Sequence, residues 1–138
     1  MVIGYTTGVF DLFHHGHVNL LRNAKSMCDR LIVGVTTDDK VIYKGKKAII
    51  SFNDRISVVR SCRYVDIAIP QTDHDKIAAH DMLKYDILFV GSDWHGDQKW
   101  VETEGLLKER GSKIVYFPYT KSISSTMIND LLSEKRDL

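Results

Sequence analysis

Five short apolar runs divide this chain: residues 2–6, 31–35, 65–69, 87–90 and 114–117. None sustains an alternation of apolar and polar side chains. A strand with one face in water alternates, whereas a strand covered on both faces reads as a near-continuous apolar run. Between the runs lie segments of helical spacing. Val18, Leu20, Leu21 and Ala24 recur at three- and four-residue steps. Ser51 with Asp54 marks a helix start, followed by Ile56 and Val59 up to Cys62. Ile77, Ala78 and Met82 form a third group, and Leu106 and Leu107 a fourth that Gly111 ends. Ser124 or Ser125 caps a last helix carrying Met127, Ile128, Leu131 and Leu132. Strict alternation of strand and helix predicts a Rossmann-like, doubly wound, five-stranded parallel sheet with helices on both faces. Pro70 and Pro118 are expected to stop the third and fifth strands.

A chain of 138 residues is expected to form a single domain with an adequate core. Its 19 basic and 18 acidic residues leave a net charge of +1. That balance argues against a nucleic-acid partner, which usually requires a basic excess. Cys28 and Cys62 make neither a disulfide framework nor a C-x-x-C motif, which suits a reduced, cytoplasmic protein. No apolar window approaches the length of a membrane span, and no leader peptide is apparent, so no membrane association is expected.

In sheets of this kind, ligands bind beyond the carboxyl ends of the strands, at the switch in strand order. The first such loop reads Thr7-Gly8-Val9-Phe10-Asp11-Leu12-Phe13-His14-His15-Gly16-His17. Three of the six histidines fall within four positions, where the first helix begins. A helix N-terminus offers free N–H groups and positive potential to phosphate. Two imidazoles there can donate hydrogen bonds to phosphate oxygens, and Gly16 lets a phosphate approach the backbone. No G-x-G-x-x-G or G-x-x-x-x-G-K-[ST] loop occurs, which argues against dinucleotide and P-loop chemistry. A zinc site at His14 and His17 is disfavoured, because no Cys or Glu ligand lies near them.

The segment from Gly8 to His17 resembles the H-x-G-H signature of the nucleotidylyltransferase superfamily. Its G-x-F-D-x-x-H context is similar to the cytidylyltransferase branch, and within it to the glycerol-3-phosphate cytidylyltransferases. Thr37-Asp38, Lys44-Gly45-Lys46-Lys47, Arg55, Arg63-Tyr64-Val65-Asp66, Gly91-Ser92-Asp93-Trp94 and Ile123-Ser124-Ser125-Thr126 extend the likeness over nearly the whole chain.

The resemblance implies transfer of a cytidylyl group from CTP to a small phosphate monoester, with sn-glycerol 3-phosphate the expected acceptor. CDP-glycerol and pyrophosphate would be the products. His14, His17, Lys44 and Lys46 are then the catalytic candidates. Val9, Phe10, Asp11, Gly16, Arg63, Gly91, Asp93, Trp94, Thr120, Ile123, Ser124, Ser125 and Thr126 are the nucleotide-binding candidates. Asp38, Arg55, Asp66 and His74 are the acceptor-binding candidates. Mg²⁺ is expected to ride on the triphosphate with no dedicated protein metal site. A homodimer is implied through the segment from Arg63 to Asp66, and CDP-glycerol implies a role in teichoic acid or capsule synthesis. The chain departs from the family pattern at Tyr119, where Arg is usual, and at Ser122, where Gly is usual. Val9 and His74 are further departures. The alternatives are an ATP-dependent adenylyltransferase acting on a sugar phosphate or cofactor precursor, and a nucleotide-binding module without turnover.

Overall fold

A computed structural model describes residues 1–43, 47–92, 95–118, 128 and 130–132. The elements follow in the order β1 (Ile3–Gly8), α1 (His15–Ser26), β2 (Arg30–Thr36), α2 (Asp38–Tyr43), α3 (Phe52–Arg60), β3 (Ile67–Gln71), α4 (Lys76–Leu83), β4 (Ile87–Gly91), α5 (Gln98–Glu109) and β5 (Lys113–Phe117). All five strands are parallel, in the order β3-β2-β1-β4-β5. The order reverses between β1 and β4. The carboxyl ends of those two strands therefore open a crevice where a ligand can sit.

The apolar runs make the sheet because both of its faces are covered. On one face, Leu21 and Ala24 of α1 and Ile56 and Val59 of α3 pack against Leu31, Val33, Val35 and Phe89. On the other, Leu107 of α5 and Ile77 and Leu83 of α4 meet Tyr5, Ile32, Leu88 and Val90. Successive residues of β1 thus point to opposite helical layers, as the period of two requires. At the amino edge of the sheet, three carboxylates take strand-entry N–H groups: Asp29 from Val2, Asp66 from Leu31 and Asp86 from Ile3.

One local expectation is corrected. Pro70 does not stop the third strand; it lies inside β3, paired with Val35. β3 is an edge strand, where the missing N–H of proline can face away from the sheet. Ser51 stands at the N-cap of α3, as expected, though its side chain makes no capping bond. Its place is taken from outside by Asp38, whose Oδ2 accepts the Phe52 N–H at 3.1 Å. The short helix α2 is an element that the apolar spacing does not announce. The last helix is seen at Ile128, Asp130, Leu131 and Leu132, and its expected caps, Ser124 and Ser125, lie outside the described residues.

Candidate active site

The loop from β1 to α1 is built on two left-handed residues, Phe10 (φ 55°) and Leu12 (φ 51°). Neither is glycine, so each costs on the order of 1–3 kcal/mol that the surroundings must offset. The alternation throws Asp11 outward between them. Its Oδ2 and Oδ1 accept the N–H groups of Ile49 and Ile50 at 2.9 and 3.0 Å. Phe10 turns inward and is 4% exposed. Expected beside the nucleotide, its ring is instead core, and it lies 5.4 Å from the His17 ring between centroids. A Cβ added at Gly8 would fall 2.9 Å from the Phe10 ring, so glycine is required there for the ring to seat.

His14 and His17 form a reciprocal cap. His14 Nδ1 accepts the Gly16 N–H at 3.0 Å, and His17 Nδ1 accepts the His14 N–H at 3.1 Å. Their rings stack at 4.0 Å between centroids, and Phe13 also stacks on His17, at 5.2 Å. An Nδ1 that accepts carries no proton, so each neutral ring has its proton on Nε2. Burial pushes His17 down to about 4, helped by the neighbouring His14 and opposed by Asp11. His14 is also lowered, by partial burial and then by His15. Near pH 7 the pair is therefore neutral and offers two Nε2–H donors. The expected approach of phosphate to the backbone at Gly16 is modified, because the Gly16 N–H is already held by His14.

Arg55 has a task that differs from the expected pairing with an acceptor phosphate. It is 1% exposed. Nε donates to Ile50 O, Nη1 to Val9 O and Thr36 O, and Nη2 to Asp38 Oδ1, at 2.7–2.9 Å. Asp38, expected to bind acceptor hydroxyls, is engaged by Phe52 and Arg55 instead. The Phe52 N–H first, and then Arg55, hold its carboxyl below the usual range. Val9 enters through its carbonyl, as an anchor for Arg55.

Two further expectations are displaced by the topology. Asp66 immediately precedes β3, at the amino edge of the sheet, where it accepts from the Leu31 N–H and from Lys25 Nζ at 2.7 Å. Arg63 is exposed in the turn entering the same edge. Within one chain neither can reach the crevice at the carboxyl ends. By contrast, Gly91 closes β4 at the crevice, and half-buried His74 lies in the β3–α4 connection at the same edge. Lys44, Lys46, Asp93, Trp94, Tyr119, Thr120, Ser122, Ile123, Ser124, Ser125 and Thr126 lie outside the described residues.

Sequence reasoning missed Lys76. It opens α4, and its carbonyl accepts the hydroxyl of buried Tyr85 at 2.8 Å. Its amine donates to Thr7 Oγ1 at 2.8 Å, one residue before β1 ends. A cation thus reaches the carboxyl end of β1 from the face opposite the histidines. A lone lysine after a strand carries no motif, and only the crossover from β3 to β4 brings it there.

A family model described as cytidylyltransferase-like matches residues 5–130. The chain belongs to the cytidylyltransferase-like family. As a cytidylyltransferase-like chain it is a nucleotidyltransferase by descent. It is similar to the glycerol-3-phosphate cytidylyltransferase of Staphylococcus aureus, 36% identical over 132 residues, which cover 94% of each protein. It is also similar to an FAD synthase of Archaeoglobus profundus, 40% identical over 80% of this chain and 70% of that one. Among solved structures, a lipopolysaccharide core biosynthesis protein from Thermoplasma volcanium superposes with a TM-score of 0.72. That match is 29% identical and covers 89% of this chain and 99% of the other. The family match fits the crevice described above, and no helix among the described residues is long and apolar enough to cross a membrane.

Proposed function

We propose that this protein transfers the cytidylyl group of CTP to sn-glycerol 3-phosphate, giving CDP-glycerol and pyrophosphate. The observation that carries the reading is the pair of neutral, Nδ1-capped histidines at the start of α1. The chemistry asks little of covalent catalysis. A phosphate monoester is already an anionic nucleophile near neutral pH, so no general base is needed. One acceptor oxygen bonds to the α-phosphorus of CTP as the bond to the pyrophosphate oxygen breaks, and pyrophosphate leaves with that electron pair. The barrier lies in aligning anions and stabilising charge on the oxygens around phosphorus.

The two Nε2–H groups donate to those oxygens. Because each Nδ1 is held by a backbone N–H, the rings are pre-oriented and need not reorganise as charge develops. The amino end of α1 adds favourable potential. Lys76 supports the acceptor phosphate from the other side of β1, the role first expected of Arg55. Lys44 and Lys46 precede the segment that Asp11 and Arg55 grip, and are proposed to meet the triphosphate.

Mg²⁺ is proposed to arrive on the nucleotide. Phosphate oxygens of the nucleotide are proposed to hold the ion chiefly. When bound, it neutralises charge on the leaving pyrophosphate. Resemblance along Arg63 to Asp66 supports a homodimer, and that segment leads into edge strand β3, whose first residue, Ile67, is 40% exposed. Sedimentation tests that assembly. A cytoplasmic location and a place in teichoic acid or capsule synthesis belong to the same reading.

The experiment is pyrophosphate release with Mg²⁺, crossing CTP and ATP against glycerol 3-phosphate, phosphocholine, sugar phosphates and FMN. CTP with glycerol 3-phosphate is the expected pair. Turnover only with ATP would favour adenylyl transfer, the reading the FAD synthase likeness supports.

A further inference from the structure

We infer that Arg55 is a positioning residue that holds His14 and His17 in working geometry, acting through the backbone of the β1–α1 loop. The inference rests on the reading that those histidines are the reacting centre. Arg55 is a buried cation, while its carboxylate partner, Asp38, has a side chain 54% exposed. A buried ion pair of this kind is weak evidence for stability. What sets Arg55 apart is where its donors go. Four of the five N–H groups of a guanidinium are used, three of them on main-chain carbonyls from three separate segments. Val9 O belongs to the histidine loop, Thr36 O to the end of β2, and Ile50 O to the chain that follows residues 44–47.

The segment at 49–50 is gripped from two directions. Asp11 takes its N–H groups and Arg55 takes the Ile50 carbonyl. Asp11 sits between the two left-handed residues, and Val9 directly precedes the first of them. Fixing Val9 and Asp11 therefore fixes Phe10, whose ring seats on Gly8 and touches His17. The chain of contact runs from Arg55 to Val9, to Phe10, to His17 and to His14, with no step through solvent. The planar fork of arginine suits this arrangement, and a lysine ammonium cannot serve three segments with the same directionality.

The test uses Arg55→Lys in the full chain, with far-UV circular dichroism to show that it folds. Two readouts follow. One is the ¹⁵N spectrum of the histidine rings, which reports the Nε2–H tautomer whether or not turnover is known. The other is steady-state kinetics. We expect the His14 and His17 ring signals to leave the single-tautomer pattern, and kcat to fall about 10²-fold with little change in KM for CTP. A merely structural role would lower the melting temperature and leave the ring signals of the folded variant in place, which would overturn the inference. If Arg55→Lys does not fold, Asp38→Ala frees Nη2 while keeping the buried cation, and is read the same way: moved ring signals support the inference and unmoved ones overturn it. Moved ring signals in an enzyme without turnover on any nucleotide would still support the clamp, and would count against the functional reading alone.

Discussion

His17 accepts the backbone N–H of His14 through Nδ1, while His14 accepts the Gly16 N–H through its own Nδ1. Each histidine of the pair therefore has a structural atom and a chemical atom. The two roles can be separated by substitution. Asparagine at position 14 retains a side-chain acceptor that caps helices well, but it loses the Nε2–H. His14→Asn is expected to unfold within about 1 kcal/mol of the parent and to lose about 10²–10³ in kcat. His14→Ala should lose both cap and activity. Chemical denaturation beside pyrophosphate release checks this. An active His14→Asn would remove His14 from the chemistry.

Acid should weaken the fold through His17. Its folded value is depressed from 6.5 to about 4. Between those values the unfolded chain binds the extra proton, so stability is full above about 6.5 and falls as pH drops toward 4. The difference corresponds to about 3 kcal/mol at most. His17→Asn keeps an acceptor for the His14 N–H but does not titrate. Urea melts at pH 7, 5.5 and 4.5 should show a steeper acid loss in the parent than in the variant. Parallel losses would place the acid sensitivity elsewhere.

Lys76→Met should act on the acceptor alone. A hydrogen bond to a charged group contributes about 1.5–3 kcal/mol, so KM for the acceptor should rise at least about tenfold while KM for CTP changes little. Initial-rate kinetics with each substrate varied in turn separates the two. An equal rise in both constants would mean that Lys76 serves the nucleotide or the fold.

Asp66 provides the opposite case. Its burial raises the carboxyl pKa, but Lys25 and the Leu31 N–H outweigh that and hold it below the usual range. Asp66→Asn should lower stability modestly, by about 1 kcal/mol or less for so exposed a pair, and leave kcat/KM unchanged. A large loss of kcat/KM in a folded variant would mean that the amino edge of the sheet contributes to a site, as it could across a dimer.

Gly8→Ala probes the platform. The new methyl would fall 2.9 Å from the Phe10 ring, so the ring must shift, and His17 packs against that ring. A loss of kcat on the order of 10²-fold is expected, with circular dichroism unchanged. Full activity would show that the Phe10 ring does not set the position of His17.

The parallel sheet was legible because covering both of its faces imposes unbroken apolar runs, whereas its strand order was not; the histidine loop was legible because three histidines and a glycine cluster where a strand hands over to a helix. Arg55 was visible as a residue, but its burial and its partners were not. An arginine three residues into a helix looks exposed in sequence, and only the fold shows that carbonyls from three segments converge on it. The place of Asp66 was not legible, because a motif gives spacing along the chain and not which edge of the sheet a residue occupies. Lys76 was invisible for the same reason in reverse: its neighbour in space, Thr7, is 69 residues away.

The central claim is tested most directly by pyrophosphate release from CTP and sn-glycerol 3-phosphate in the presence of Mg²⁺, with CDP-glycerol identified by mass. The account predicts turnover that needs both substrates and falls about 10²–10³-fold in His14→Asn. Release with ATP but not CTP, or undiminished release in the His14→Asn variant, would contradict it.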